Sequence, residues 1–371
     1  MMHPTIGIIG LGTMGLGIAQ VFAQASFPTI ATDAHAPARD SARTRMEQAL
    51  TARVSAGKLN PEARDATLNN LHIAESLTDF AACSLIIEAI VERADAKQAL
   101  FAELEAIIPA TTILATNTSS IPVATIAATA QTPDRILALH FFNPPTAMKL
   151  VELAPHAGTA QHHINIARQL TETAGKTVIQ CPDRPGFIVN RCARPYYGEA
   201  LALLSEGHKA AEIDAAMMAA GYRLGPFALI DLIGADINLA ATQGMSAAMQ
   251  KHPRYHVFPI LAAQVASGDL GRKTGRGFIY PAETTPAPNP DIALRIESTL
   301  INEAAWLLAE GGTTEQGIDT AMKLGLNFPR GPFEALALHG QNTVLQTLQN
   351  LAQKAPEALK PRYAPAPYLI R

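Results

Sequence analysis

The stretch TIGIIGLGTMGLGIAQVFAQA, Thr5 to Ala25, decides the fold. A short apolar run meets Gly10, Gly12 and Gly15, spaced G-x-G-x-x-G, and passes at once into helix-forming residues. Between a strand and a helix, the first glycine permits the tight turn and the second lets backbone approach a pyrophosphate. The third lets helix and strand pack closely. The helix start then offers free N–H groups and the positive end of its dipole to phosphates. A tight strand–helix turn would use the same glycines with no ligand. What separates the two readings is a second strand, PTIATD, ending at Asp33, eighteen residues beyond Gly15. A carboxylate there accepts hydrogen bonds from adenosine ribose hydroxyls. A dinucleotide is therefore expected. Asp33 would repel a 2′-phosphate and the next residues, AHAPA, bring no immediate arginine, so NAD is expected over NADP.

Alternation of apolar strands and helices continues to about residue 180, with SLIIEAIV and TTILATN as strands and ADAKQALFAELEAII as the helix between them. That rhythm predicts a parallel, doubly wound sheet with ligand at the carboxyl ends of its strands. Glu92, the NTSS run Asn117 to Ser120, and His140 fall at those ends.

The segment ILALHFFNPPTAMKLVEL, Ile136 to Leu153, breaks the rhythm. Between His140 and Lys149 there is no room for a crossover helix, so the flanking strands should be antiparallel. With the turn centred on Thr146, residues equidistant from it pair, and His140 and Glu152 stand six residues to either side. Cross-strand neighbours lie roughly 5 Å apart at Cβ. A core histidine satisfied by glutamate often serves structure alone. At the edge where a nicotinamide would lie, the same pair can take the proton of an alcohol as hydride leaves its carbon.

After CPDRPGFIVNRCARPYY the chain becomes helical and alanine-rich. EALALLSEGHKAAEIDAAMMAAGYRLGPF, from Glu199, matches EAAWLLAEGGTTEQGIDTAMKLGLNFPRGPF, from Glu303, across the proline-rich PAETTPAPNP. The expectation is a Rossmann-like α/β domain over 1–183, then an all-α part as two tandem repeats, 184–281 and 291–371. The second repeat is read as a structural duplicate covering an apolar face of the first. Asn190, in FIVNR, suits either a helix-bridging asparagine or a substrate contact.

Composition fits this plan. The 371 residues, 48% hydrophobic, are ample for two or three domains. A net charge of -3 argues against nucleic-acid binding by bulk charge. No run of about 18 uncharged apolar residues suggests a membrane span, and no basic region or cleavage site precedes the first strand. Cys83, Cys181 and Cys192, an odd count without a CxxC pair, read as reduced thiols of a cytoplasmic protein, and no metal site is expected.

Taken in order from residue 5 to about 280, GLGTMGLGIA, IIEAIVE, TNTSS, LALHFFNPPTAMKLVEL, PGFIVNR, IDAAM with LGPF, and GRKTGRGF resemble the 3-hydroxyacyl-CoA dehydrogenases, and the duplicated module resembles their longer bacterial forms. The resemblance implies NAD-dependent oxidation of an (S)-3-hydroxyacyl-CoA in fatty-acid or aromatic-acid β-oxidation. It implies His140 as catalytic base, Glu152 as its orienting carboxylate, Ser119 near substrate and nicotinamide, and Asn190 on the substrate. Met14 and Asp33 fall around adenosine and pyrophosphate, Glu92 and Lys97 on the cofactor pair after the fourth strand, and Asn143 beside the nicotinamide amide. Lys273 falls on a lysine reaching the cofactor from the helical part. Without the resemblance, Lys97 and Lys273 would read as solvated charge. Arg45, Arg53 and Lys58 are candidates for the CoA 3′-phosphate, or simply a solvated helix face. The match departs at GYRLGPF, where the family often carries a proline shortly before GPF. A β-hydroxyacid dehydrogenase acting on a free acid shares the GLGxMG opening but would not need His140 with Glu152. An inactive, crystallin-like NAD binder would not need Ser119, His140, Glu152 and Asn190 intact. No hydratase domain is expected ahead of the first strand, and the protein is expected as a homodimer or as a pseudo-dimeric monomer.

Overall fold

The computed structural model describes residues 3–281 and 286–370, so residues 282–285 of the proline-rich stretch PAETTPAPNP lie outside the described residues. The chain divides into two compact units, residues 1–184 and 185–371.

The first unit is an eight-stranded sheet in the order β3-β2-β1-β4-β5-β6-β7-β8. The strands are β1 (Thr5–Ile9), β2 (Thr29–Thr32), β3 (Leu71–Ile73), β4 (Cys83–Glu88), β5 (Ile113–Thr116), β6 (Ile136–Phe141), β7 (Leu150–Pro155) and β8 (Thr177–Gln180). β1 to β6 are parallel, whereas β7 pairs antiparallel with β6 and parallel with β8. Ile6, Ile8, Leu85, Ile87, Leu137 and Leu139 are fully buried. Strands covered on both faces need such near-continuous apolar runs, which is why β1, β4 and β6 read that way in the sequence. The strand order reverses between β1 and β4, and the crevice at such a switch point is where doubly wound sheets hold ligands. The turn between β6 and β7 produces the register expected from its length, with His140 opposite Glu152.

The second unit is helical, built around the twenty-residue helix Pro290–Ala309. Several arrangements occur twice in it. Asp214 accepts hydrogen bonds from the N–H groups of Phe227 and Ala228, and Asp319 accepts them from Phe333 and Glu334. In both places a side chain on the glycine of GPF, Gly225 or Gly331, would collide with that aspartate. Arg191 donates to Glu303 at 2.7 Å and forks onto Glu310, while Arg295 donates to Glu199 at 2.8 Å and forks onto Glu206. Tyr255 and Arg254 complete the shell of Glu303 as Tyr363 and Arg362 complete that of Glu199. Each buried glutamate thus takes its arginine from a distant stretch of the same unit. Such buried charges are tolerated only because they are paired and hydrogen-bonded together.

Candidate active site

At the mouth of the helix Thr13–Gln24, Gly10 adopts φ +100°, and a side chain there would strike the carbonyl of Ala89. Gly15 lies so close beneath the Gly10 carbonyl that no Cβ fits. Gly12 faces open space, the clearance a pyrophosphate needs beside the helix N-terminus. Met14 is half-buried and packs on the sheet core. Just past β2, Asp33 accepts a hydrogen bond from Leu11 N–H at 2.7 Å and from His35 N–H at 2.8 Å. It thereby ties the glycine loop to the end of β2. A cleft of about 410 Å³ opens there, lined by Asp33, Arg39, Glu75, Ile90 and Leu100. These residues fit the adenosine end of NAD.

Two arginines behave otherwise than sequence reading suggests. Arg39, one turn into the helix Ala36–Ser55, folds back so that Nη1 donates to the Asp33 carbonyl at 2.6 Å, so an arginine does stand at this rim. Helical periodicity returns a residue that AHAPA alone did not contain. Arg45 donates to the carbonyls of Leu11 at 2.9 Å and Ala38 at 3.0 Å, which commits it to the glycine loop rather than to a CoA phosphate. Arg53 is half-buried and Lys58 exposed, and neither side chain has a partner among the described residues.

The carboxyl ends of β4, β5 and β6 carry one connected polar system. His140 Nδ1 and Glu152 Oε2 lie 2.7 Å apart, the histidine 7% exposed and the glutamate fully buried. The Phe142 ring sits 4.6 Å from the imidazole. Phe141 N–H donates to Asn117 Oδ1 at 2.8 Å, which joins the end of β6 to the NTSS loop. That loop is gathered by Glu92, which accepts from Thr118 Oγ1 at 2.6 Å, Ser120 Oγ at 2.9 Å and Ser119 N–H at 3.1 Å. Burial opposes the charge on Glu92, but the Thr118 hydroxyl, the Lys97 ammonium and the Ser120 hydroxyl outweigh it and lower its pKa.

Lys97 is not a solvated charge: it is 1% exposed, with Nζ 2.6 Å from Glu88 and 3.2 Å from Glu92. The helix Ala94–Glu105 begins directly after β4 and turns this position down onto the strand end. Glu88, fully buried, also accepts from Ile90 N–H at 2.7 Å and Thr116 Oγ1 at 2.8 Å. It was not singled out in the sequence, though it interrupts an apolar strand just as His140 and Glu152 do. Asn143 is exposed in the turn after β6, and Ser119 is half-buried. In the second unit, half-buried Asn190 lies in the short helix Val189–Cys192, its carbonyl accepting from Arg194 Nε at 3.1 Å, and Lys273 is held by Asp236 at 2.5 Å.

A family model described as the NAD-binding domain of 3-hydroxyacyl-CoA dehydrogenase matches residues 5–184, and the model of that family's C-terminal domain matches 186–280 and 292–371. The chain belongs to the 3-hydroxyacyl-CoA dehydrogenase family. Among this family's members, the 3-hydroxyadipyl-CoA dehydrogenase of Escherichia coli K12 is 34% identical to it, covering 98% of this chain and 96% of that protein. The crystal structure of 3-hydroxybutyryl-CoA dehydrogenase from the same organism superposes with a TM-score of 0.92 at 33% identity, covering 99% of this chain and 98% of the other. That of (S)-3-hydroxybutyryl-CoA dehydrogenase from Ralstonia eutropha gives a TM-score of 0.71 at 34% identity, covering 75% of this dehydrogenase and 99% of that chain. This dehydrogenase is thus an NAD-dependent oxidoreductase, with the Rossmann-like fold expected of its first unit. No helix among its described residues is long and apolar enough to cross a membrane.

Proposed function

We propose that this enzyme oxidises (S)-3-hydroxyacyl-CoA thioesters reversibly to 3-oxoacyl-CoA in β-oxidation of fatty or aromatic acids in the cytoplasm, with His140 as general base. The observation that carries this reading is the 2.7 Å contact of His140 with Glu152 at the carboxyl end of β6, in line with the ends of β4 and β5. Bound NAD supplies the hydride acceptor. His140 takes the hydroxyl proton at Nε2 as the carbonyl forms. Glu152 holds Nδ1, fixes the tautomer and stabilises the imidazolium. Ser119 and Asn190 hold the substrate oxygen. Gly10, Gly12, Met14, Gly15 and Asp33 seat the cofactor's adenosine and pyrophosphate. Asn143 and Lys273 contact the cofactor further along, and Glu92 with Lys97 keeps the Ser119 loop in place beneath it. Arg53 and Lys58 receive the CoA phosphate, their side chains being without partners among the described residues.

In this reading residues 184–281 and 291–371 are two copies of one module. The exchanged Arg191–Glu303 and Arg295–Glu199 pairs support it, since each copy completes the other as two subunits of a dimer would. Exchange within one chain favours a pseudo-dimeric monomer over a homodimer.

The test is His140→Gln, which should lower kcat by about 10²–10⁴-fold, the range for a positioned acid–base group, with NADH affinity by fluorescence nearly unchanged. A variant keeping more than about a tenth of the kcat makes the histidine structural. Comparable kcat/KM for 3-hydroxybutyrate and its CoA ester would instead favour a dehydrogenase of free hydroxy acids.

A further inference from the structure

The second unit carries a groove of about 450 Å³ between the stretch leading into the first GPF motif and the one leading into the second. Its walls are apolar: Leu229 and Leu232 on one side, Leu326 and Phe328 on the other. Leu232 is 48% exposed. Arg223 and Arg272 line it as well, both exposed. Among the described residues of this unit they are the arginines whose guanidinium has neither hydrogen bond nor ion pair, while Arg191, Arg254, Arg295, Arg330 and Arg362 are all held by glutamates.

The internal repeat makes the imbalance plain. With Gly225 set against Gly331, Tyr222 corresponds to Phe328, and these two rings meet edge-on at 4.8 Å between centroids. Arg223 then corresponds to Pro329. The stretch that brings Pro329 contributes Leu326, Asn327 and Phe328 and no charge, and the stretch that brings Arg223 contributes a cation. Two cations with no protein counter-ion among the described residues thus stand beside the exposed Leu232 and the half-buried Leu229 and Leu326. An aliphatic chain ending in an anion would cover the leucines and pair the guanidiniums, whose forked N–H groups match a carboxylate. A small anion alone would leave the leucines uncovered.

We propose that this groove binds an aliphatic chain ending in a carboxylate, through Arg223 and Arg272. The proposal rests on the thioester oxidation set out above only in its choice of assay. The chain has two chemical sources: the far end of the acyl group of the enzyme's own substrate, or a free aliphatic mono- or dicarboxylic acid.

The experiment uses the full-length enzyme and the variant Arg223→Ala/Arg272→Ala, with two arms. The first compares kcat/KM for 3-hydroxyadipyl-CoA and 3-hydroxyhexanoyl-CoA, chains of equal length ending in carboxylate and methyl. If the groove takes the substrate's own tail, the variant loses at least tenfold on the adipyl thioester, more at low salt, and stays within about twofold on the hexanoyl one. The second arm measures adipate and hexanoate binding by calorimetry. If the source is a free acid, binding to the wild type disappears in the variant while both thioesters are oxidised as before. The proposal is overturned if the variant loses equally on both thioesters, or if it changes neither the thioester ratio nor free-acid binding. Failure of the functional reading is separable: a wild type that oxidises no thioester, 3-hydroxybutyryl-CoA included, ends that reading, while calorimetry still reports on the groove.

Discussion

Replacing Lys97 with methionine removes the cation shared by Glu88 and Glu92 and keeps all but the last atom of the side chain's length. Lys97 and Glu88 are 1% and 0% exposed, so the carboxylate left behind cannot be rescued by water. Breaking a buried pair from one side costs about 3–5 kcal/mol. Glu88 keeps its hydrogen bonds from Ile90 N–H and Thr116 Oγ1, which sets the loss near the lower end, about 3 kcal/mol. In a unit of this size that lowers Tm by about 6–12 °C. Adding Glu88→Gln removes the stranded charge, so the double variant should recover most of that stability. It should not recover function, because Glu92 still lacks the ammonium that helps hold the Ser119 loop, and the KM for NAD should stay raised in both. The pH dependence has a definite sign. A carboxyl whose pKa is lowered in the folded state stabilises at pH values above its ordinary value of about 4.3, and that contribution is lost as pH falls through the folded value. Without Lys97, one of the influences lowering the Glu92 pKa is gone, and NAD binding should fail at a higher pH on the acid side. Thermal melts at pH 7 and NAD titrations from pH 4 to 7 on wild type, single and double variants test this. A single variant melting within 2 °C of wild type, or a double variant no more stable than the single, refutes the buried-pair account.

Asp33→Ala should weaken NAD binding and narrow the preference for NAD over NADP, since it removes both the proposed ribose acceptor and the tie to Leu11 N–H; equal use of the two cofactors by the unmutated enzyme would contradict that role. Burial pushes the Cys83 thiol up to about 12 and the Cys181 thiol well above its usual range, and Cys192 is buried too. Iodoacetamide at pH 8 should therefore label none of the three until the enzyme is unfolded, as counted by mass spectrometry; stoichiometric labelling of the native enzyme would show one of them open to solvent.

The parts legible in the sequence are those set by short chain separations. The glycine spacing around Gly10, Gly12 and Gly15 is a local demand of one strand–turn–helix. His140 and Glu152 could be paired by counting because a turn too short for a helix forces antiparallel strands, and centring that turn on Thr146 gives the register observed. The likeness of the two GPF stretches is legible because each keeps an aspartate and a glycine, and Asp214 and Asp319 cap the GPF helices in the same way. Tertiary structure alone decided which partner each charge would have. Glu88 and Lys97 meet because a helix turns back over the strand end, and Glu92 reaches the NTSS loop because β4 and β5 are neighbours in a parallel sheet. Arg39 and Arg45 spend their charge on carbonyls that helix packing brings near. Arg191 and Arg295 find glutamates more than ninety residues away. Local geometry follows from sterics and period, which single residues carry; the partner of a buried charge follows from desolvation, which is settled only when distant elements close over it.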